Sequence, residues 1–229
     1  MSASLAELTW CEAEASNGRL GLAIPLGATE QHGPHLPLST DTDIACSISE
    51  GVARRCSHIV AAPPVAYGSS GEHAGFAGTL SIGQQAIELL IVELCRSASA
   101  TFGFTLLVCA HGGNREPVLR AQHRLVHEGR TVRAFFPNWS SGEHAGRIET
   151  SLMLAARPES VHLDRARAGV TTPLNELLPA LRARGVSEVS ANGVLGDPAG
   201  ASAEEGRRLL RLAIDDLARL AEDMRASAS

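Results

Sequence analysis

Short apolar runs alternate along this chain with longer stretches of helical period, and that alternation narrows the fold more than any other feature. Residues 20–26, 59–62, 105–110 and 131–136 are four to seven residues long and read as buried strands. Between them, 43–56, 84–102 and 117–128 have helical length and period. Leu90, Leu94 and Ala98 are expected on one buried stripe, and Leu119, His123 and Val126 on another. Strand–helix alternation of this kind predicts a mostly parallel sheet covered by helices on both faces. No repeat of fixed period and no low-complexity linker interrupts it, so residues 1–229 read as a single three-layer αβα domain. Near the end, the Gly- and Pro-containing loop 193–200 leads into a helix. Ser202 and Glu205 have the spacing of a capping box, followed by Leu210, Ile214, Leu217, Ala221 and Met224 on one face.

Composition removes several function classes. The formal net charge of −5, from 20 basic and 25 acidic residues, provides no broad cationic surface, and 3% aromatic content provides no base-stacking platform. A nucleic-acid partner is therefore not expected. The first twenty residues carry acidic side chains and no basic segment followed by an apolar core, so they do not read as a secretory signal. No apolar run is long enough to span a bilayer. Cysteines 11, 46, 56, 95 and 109 are odd in number and contain no CxxC pair, which suits free thiols in a reducing cytoplasm.

Residues of metal-ligand type follow the predicted strands, where open α/β sheets bind their ligands. The first strand runs into GATEQHGPHLP and then TDTD. In an extended segment Glu30 and His32 point the same way, and the Pro and Gly residues after them can turn the chain so that Asp41 returns to the same place. The third strand ends in CAHGGN, which sets His111 before a glycine-rich turn. The fourth leads toward GEHAGRIETS, with Glu149 entering a helix. Carboxylates and imidazoles in this mixture suit Zn(II), Mn(II) or Fe(II). Asp43 competes with Asp41, but its expected job is to favour the start of the following helix. His123 and His127 lie four apart without an HExxH pattern and are expected to be structural.

The segments IPLGATEQHGPHLPLSTDTD, AHGGN, GEHAGRIETS and GVLGDP together resemble the creatininase family of metal-dependent amidohydrolases, from about Ile24 to the final helix. Within that family, residues 67–83 and 193–208 look most like the branch that trims a modified precursor peptide during maturation of a redox cofactor. The resemblance implies two divalent ions per chain, Zn(II) and/or Fe(II) with Mn(II) as a further candidate. Glu30, Asp41 and His111 would hold one; His32, Asp41 and a glutamate would hold the other. In creatininase that glutamate stands two residues after the HGGN-type histidine, where this chain has Gly113, so Glu149 is assigned in its place. His144 matches the catalytic histidine. His73, Trp139 and Tyr67 are expected to line or cover the pocket, and Gly112 to bring a backbone N–H toward a substrate oxygen.

The implied activity is cleavage of an amide bond in the modified precursor peptide, releasing a fragment derived from a C-terminal Val-Tyr. A homo-oligomer comes with the same resemblance, and the cytoplasmic setting with the cysteine pattern. Two other readings stay open here: hydrolysis of a small cyclic amide or formamide, and a metal- or nucleotide-binding α/β module with no catalysis.

Overall fold

Four strands, β1 (Gly21–Leu26), β2 (Ile59–Ala61), β3 (Phe104–Cys109) and β4 (Val132–Phe135), form one parallel sheet in the order β2–β1–β3–β4. The computed structural model describes residues 4–138 and 143–228. Register runs from Gly21 opposite both Ile59 and Phe104 to Leu26 opposite Cys109. Each strand lies within about one residue of its expected bounds, because buried parallel strands are continuous apolar runs.

Alternate residues of the central strands supply opposite cores. Ala23, Leu106 and Val108 pack with Ile44, Ile48 and Val52 of α2 (Thr40–Arg55), Leu152 and Met153 of α5 (Arg147–Ala156), and Leu217 and Ala221 of α7 (Ala203–Ala228). Ile24, Leu107 and Cys109 pack with Ile87, Ile91 and Cys95 of α3 (Gly83–Ala98) and Val118, Ala121 and Leu125 of α4 (Arg115–His127). Each fully buried Leu or Ile side chain contributes roughly 1.5–3 kcal/mol. The helices α1 (Trp10–Glu14) and α6 (Leu174–Arg184) complete the fold, and Leu181, Val186 and Leu195 form a small third cluster.

Three local expectations are corrected. On α3 the buried row is Ile87, Ile91 and Cys95, whereas Leu94 is 41% exposed. On α4, Leu119 and Val126 are exposed and Val118, Ala121 and Leu125 are buried. Both helices carry two apolar rows of equal period, and only packing against the sheet selects one. The capping box is half formed: Ser202 Oγ accepts the Glu205 N–H at 3.2 Å, but Glu205 accepts from Arg147 Nε at 2.9 Å and Ser151 Oγ at 3.0 Å. The Ser202 N–H donates to Ser151 Oγ at 3.0 Å instead, which ties α7 to α5.

Candidate metal centre

The site lies beyond the carboxyl ends of β1 and β3. Gly27 directly follows β1, and a Cβ there would lie 2.4 Å from Thr42 Cα, so only glycine lets the first turn of α2 come this close. Thr42 Oγ1 donates to the Ala28 carbonyl at 3.0 Å and holds the contact. Asp41 is thereby buried in the first turn of α2, where a helix N-terminus favours a carboxylate. Asp41 returns to His32 as expected, but α2 begins at Thr40 rather than at residue 43, so Asp41 lies within the helix and not ahead of it. At the end of β3, Asn114 joins three segments: its Nδ2 donates to the Gly27 carbonyl and its Oδ1 accepts the Ser69 N–H, both at 2.9 Å. These contacts place His111 beside Asp41.

His144 and Glu149 arrive from farther along the chain. The backbone of His144 bridges to Leu195, with N–H to O distances of 3.0 and 2.9 Å. Ala145 sits at φ +55°, in the left-handed region, and its N–H donates to Glu149 Oε2 at 2.6 Å. Such a conformation in a non-glycine residue costs on the order of 1–2 kcal/mol, and strain of this kind gathers at functional sites.

Three groups of ligand-type atoms form among the described residues: Glu30 with Asp41 and His111; His32 with His144 and Glu149; and Glu30 with His73 and His144. Asp41 faces two of the imidazoles, with Oδ1 3.2 Å from His32 Nε2 and Oδ2 3.0 Å from His111 Nδ1. Glu30 Oε1 lies 3.4 Å from His111 Nδ1 and 3.3 Å from His73 Nε2. Glu149 Oε2 is 3.8 Å from His32 Nε2.

The other ring nitrogens are held by the backbone. His32 Nδ1 donates to the Glu30 carbonyl at 3.2 Å, His111 Nε2 to the Ser69 carbonyl at 2.9 Å, and His144 Nε2 to the Gln31 carbonyl at 2.9 Å. Metal-binding histidines are typically oriented in this way, one nitrogen fixed by an acceptor and the other aimed at the ion. Glu30 Oε2 is buried without a hydrogen-bond partner, as a carboxylate oxygen reserved for a cation would be. The mixed N/O donor set fits a divalent transition ion.

The electrostatics follow from crowding. Burial alone would depress the His32 imidazole, but Asp41, Glu149 and Glu30 outweigh it and raise its pKa to about 10. His111 is likewise raised well above its usual value, against burial, by Glu30 and Asp41. Burial opposes ionisation of Glu30, yet His111 draws its carboxyl down to about 2; Asp41 is lowered still further, His32 leading the pull. Glu149 goes the other way, lifted by burial to about 7. Burial and then the neighbouring His32 and His73 hold His144 down at about 3, and burial lowers His73. The last two rings are thus neutral while His32 and His111 are charged. A divalent ion among the same atoms would take over that positive charge and displace protons.

Of the residues named from the sequence, Glu30, His32, Asp41, His111, His144, Glu149 and His73 meet here. Gly112 lies exposed in the turn after His111, and Tyr67 is exposed. Trp139 lies outside the described residues. His123 and His127 belong to α4 and join none of the three groups. Asp43 accepts from Ser39 Oγ at 2.7 Å and pairs with Arg157 at 3.2 Å, away from the centre.

Two neighbours escaped the sequence reading. Gln31 touches both His73 and His144, although period-two logic aims it away from Glu30 and His32. Glu72 occupies the volume beside Gly113: a Cβ on that glycine would meet Ser69 O at 2.1 Å, His111 Nε2 at 2.6 Å and Glu72 Oε1 at 2.7 Å. No side chain fits there without rearrangement, and the only sequence signal was the missing one at position 113.

A parallel αβα sheet with carboxylates and histidines gathered beyond its strand ends has the frame of a metallohydrolase, and the family is settled by comparison. The chain belongs to the creatininase family: the model described as creatinine amidohydrolase matches residues 6–221. The chain is 48% identical over 204 residues to the mycofactocin precursor peptide peptidase of Mycobacterium ulcerans (strain Agy99), covering 85% of this chain and 82% of that one. It is 28% identical to the creatinine amidohydrolase of Pseudomonas putida over 95% of both chains. Among solved structures, one titled "Creatininase Mn" superposes with a TM-score of 0.79 at 26% identity, covering 96% of this chain and 97% of that one. A mutant creatininase described as of Zn-Zn type gives a TM-score of 0.77 at 27% identity, with coverage of 96% and 97%.

Proposed function

We propose that this protein is a dinuclear metal-dependent peptidase that cleaves an amide bond near the C-terminus of the modified mycofactocin precursor peptide, releasing a Val-Tyr-derived fragment. The geometry that carries the hydrolytic part is the single carboxylate of Asp41 turned toward both His32 and His111. The substrate rests on the 48% identity to a relative named for that peptide.

In this reading Glu30, Asp41 and His111 hold one ion, and His32, Asp41 and Glu149 hold the other. Zn(II) and Fe(II) are the first candidates and Mn(II) the next; the creatininases described as of Zn-Zn type and as Mn support a site of this donor type. When bound, such ions polarise a scissile carbonyl and make water nucleophilic at neutral pH. His144 then takes a proton at Nδ1 and delivers it to the leaving nitrogen, since its Nε2–H is occupied by the Gln31 carbonyl. His73 steadies Glu30 from the second side, and Gly112 offers its N–H to a substrate oxygen. Among the described residues no helix is long and apolar enough to cross a membrane, and all five cysteines are free, which supports a reducing, cytoplasmic setting. Exposed Leu89, Leu94, Leu119 and Val126 on α3 and α4 support assembly into a homo-oligomer.

Incubating the metal-loaded protein with the modified peptide, and separately with creatinine and a formamide, tests the reading by mass spectrometry. Release of the C-terminal fragment, stopped by chelation, is expected. Turnover of creatinine or formamide alone would overturn the substrate. Loading well below two ions per chain would overturn the dinuclear centre, and full loading without turnover of any substrate would favour a binding module.

A further inference from the structure

We propose that Gln31 is a positioning residue that sets which ring nitrogen carries a hydrogen in His73 and in His144, making His73 a donor to Glu30 and keeping a hydrogen on Nε2 of His144. The assignment of tautomers stands on hydrogen-bond geometry alone; the consequence for proton transfer rests on the peptidase reading.

The buried Gln31 amide has one possible orientation. Its Oε1 accepts the Gly33 N–H at 2.9 Å, and its Nε2 donates to the Gly193 carbonyl at 3.0 Å. Reversed, it would set an oxygen against a carbonyl and an NH2 against an N–H, repulsive at both ends. One amide hydrogen is left, and two ring nitrogens stand within reach: His73 Nδ1 at 2.9 Å and His144 Nε2 at 3.0 Å.

The main chain of the same residue breaks the tie. His144 Nε2 is 2.9 Å from the Gln31 carbonyl oxygen, which can only accept, so that nitrogen carries a hydrogen and cannot receive the amide's. The remaining amide hydrogen therefore goes to His73 Nδ1. His73 must then be protonated at Nε2, the nitrogen 3.3 Å from Glu30 Oε1, and it donates to that carboxylate. His144 keeps its hydrogen on Nε2, and its Nδ1 faces the same Glu30 oxygen at 3.9 Å. Gly193 is part of the device. It sits at φ +77°, and a Cβ on it would lie 1.9 Å from Gln31 Oε1. One residue thus orients a carboxylate through His73 with its side chain and the proton carrier His144 with its main chain.

The test is nitrogen NMR of ring-15N-labelled histidine in the full chain loaded with zinc. The wild type should show both His73 and His144 as Nε2–H tautomers. Gln31→Glu replaces the donor with an acceptor, so His73 should switch to Nδ1–H while His144, held by the backbone, stays Nε2–H. With the donor to Glu30 lost, zinc affinity should fall about 10–100-fold, the usual effect of removing a group that orients a ligand. A wild-type Nδ1–H tautomer at either histidine overturns the proposal, and so does an unchanged His73 in a folded Gln31→Glu chain. The wild-type spectrum decides the matter even where the variant does not fold. A chain with the expected tautomers and no activity on the peptide would refute the peptidase reading and leave the Gln31 assignment in place.

Discussion

Asp41 and His111 lie 3.0 Å apart, Oδ2 to Nδ1, both buried, although one lies in the first turn of helix α2 and the other follows strand β3. Two ligand-type groups from separate crossover units meet only because the glycine at position 27 lets α2 start against the end of β1. Asp41 also reaches His32 with its other oxygen, so its carboxylate faces two imidazoles at once.

Replacing that carboxylate should dismantle the centre without unfolding the chain. Asp41→Ala is expected to lower affinity for at least one ion by more than about 100-fold, a larger loss than removal of an orienting group gives. Elemental analysis of dialysed protein, with circular dichroism as the fold control, measures it. Full loading and full turnover in this variant would contradict the assignment.

Asp43 provides the matched control two residues away. Asp43→Asn should keep activity within about twofold and lose about 0.3–1 kcal/mol, because its carboxylate acts at the helix start and on a solvent-screened Arg157. Thermal melting and steady-state kinetics read both quantities. Loss of metal here, with Asp41 dispensable, would exchange the two roles.

His144 and Glu149 should separate by rescue. His144→Ala is expected to keep both ions while kcat falls about 10²–10⁴-fold, and added metal should not restore it. Glu149→Gln should bind one ion more weakly and recover part of its activity in excess metal. Opposite behaviour of the two variants would reverse the assignments.

Metal loading should release protons. Before loading, His32 is raised to about 10 and Glu149 to about 7, so both hold protons at pH 6.5 that a bound ion must displace. Affinity should therefore climb with pH through 6–8 as Glu149 ionises. Zinc titration calorimetry in buffers of different ionisation enthalpy should report more than one proton released per chain at pH 6.5. The metal-free protein has the opposite dependence. A folded-state pKa raised above the unfolded value stabilises fully below the unfolded value and loses that contribution as pH rises through the folded one. For His32 the window runs from about 6.5 to about 10, so the metal-free form should melt lower at pH 10 than at pH 6.5.

Restoring a glutamate at position 113 should fail. With Ser69 O only 2.1 Å from a Cβ there, Gly113→Glu is expected to destabilise the fold by about 1–3 kcal/mol, as overpacking does, and to add no metal affinity. Chemical denaturation and zinc binding check the two halves. Tighter binding at unchanged stability would mean that the loop carrying Glu72 yields, and that Glu149 is not the replacement.

The sequence by itself determined the strands, the two-sided helical cover and most of the side chains that gather at the candidate centre. Buried parallel strands are uniformly apolar, and polar residues directly after them, such as Glu30, His32 and His111, have few places to go but the ligand-binding edge of the sheet. Tertiary structure alone decided the rest. Local period could not choose between Ile91 and Leu94 on α3, because both lie on apolar rows and only contact with β1 and β3 distinguishes them. Nor could it place His144, held through Leu195 some fifty residues onward, or bring Glu72 into the space left by Gly113. Those positions are set by pairings between distant segments, and hydrogen bonds and steric exclusion across such distances leave no local pattern to read.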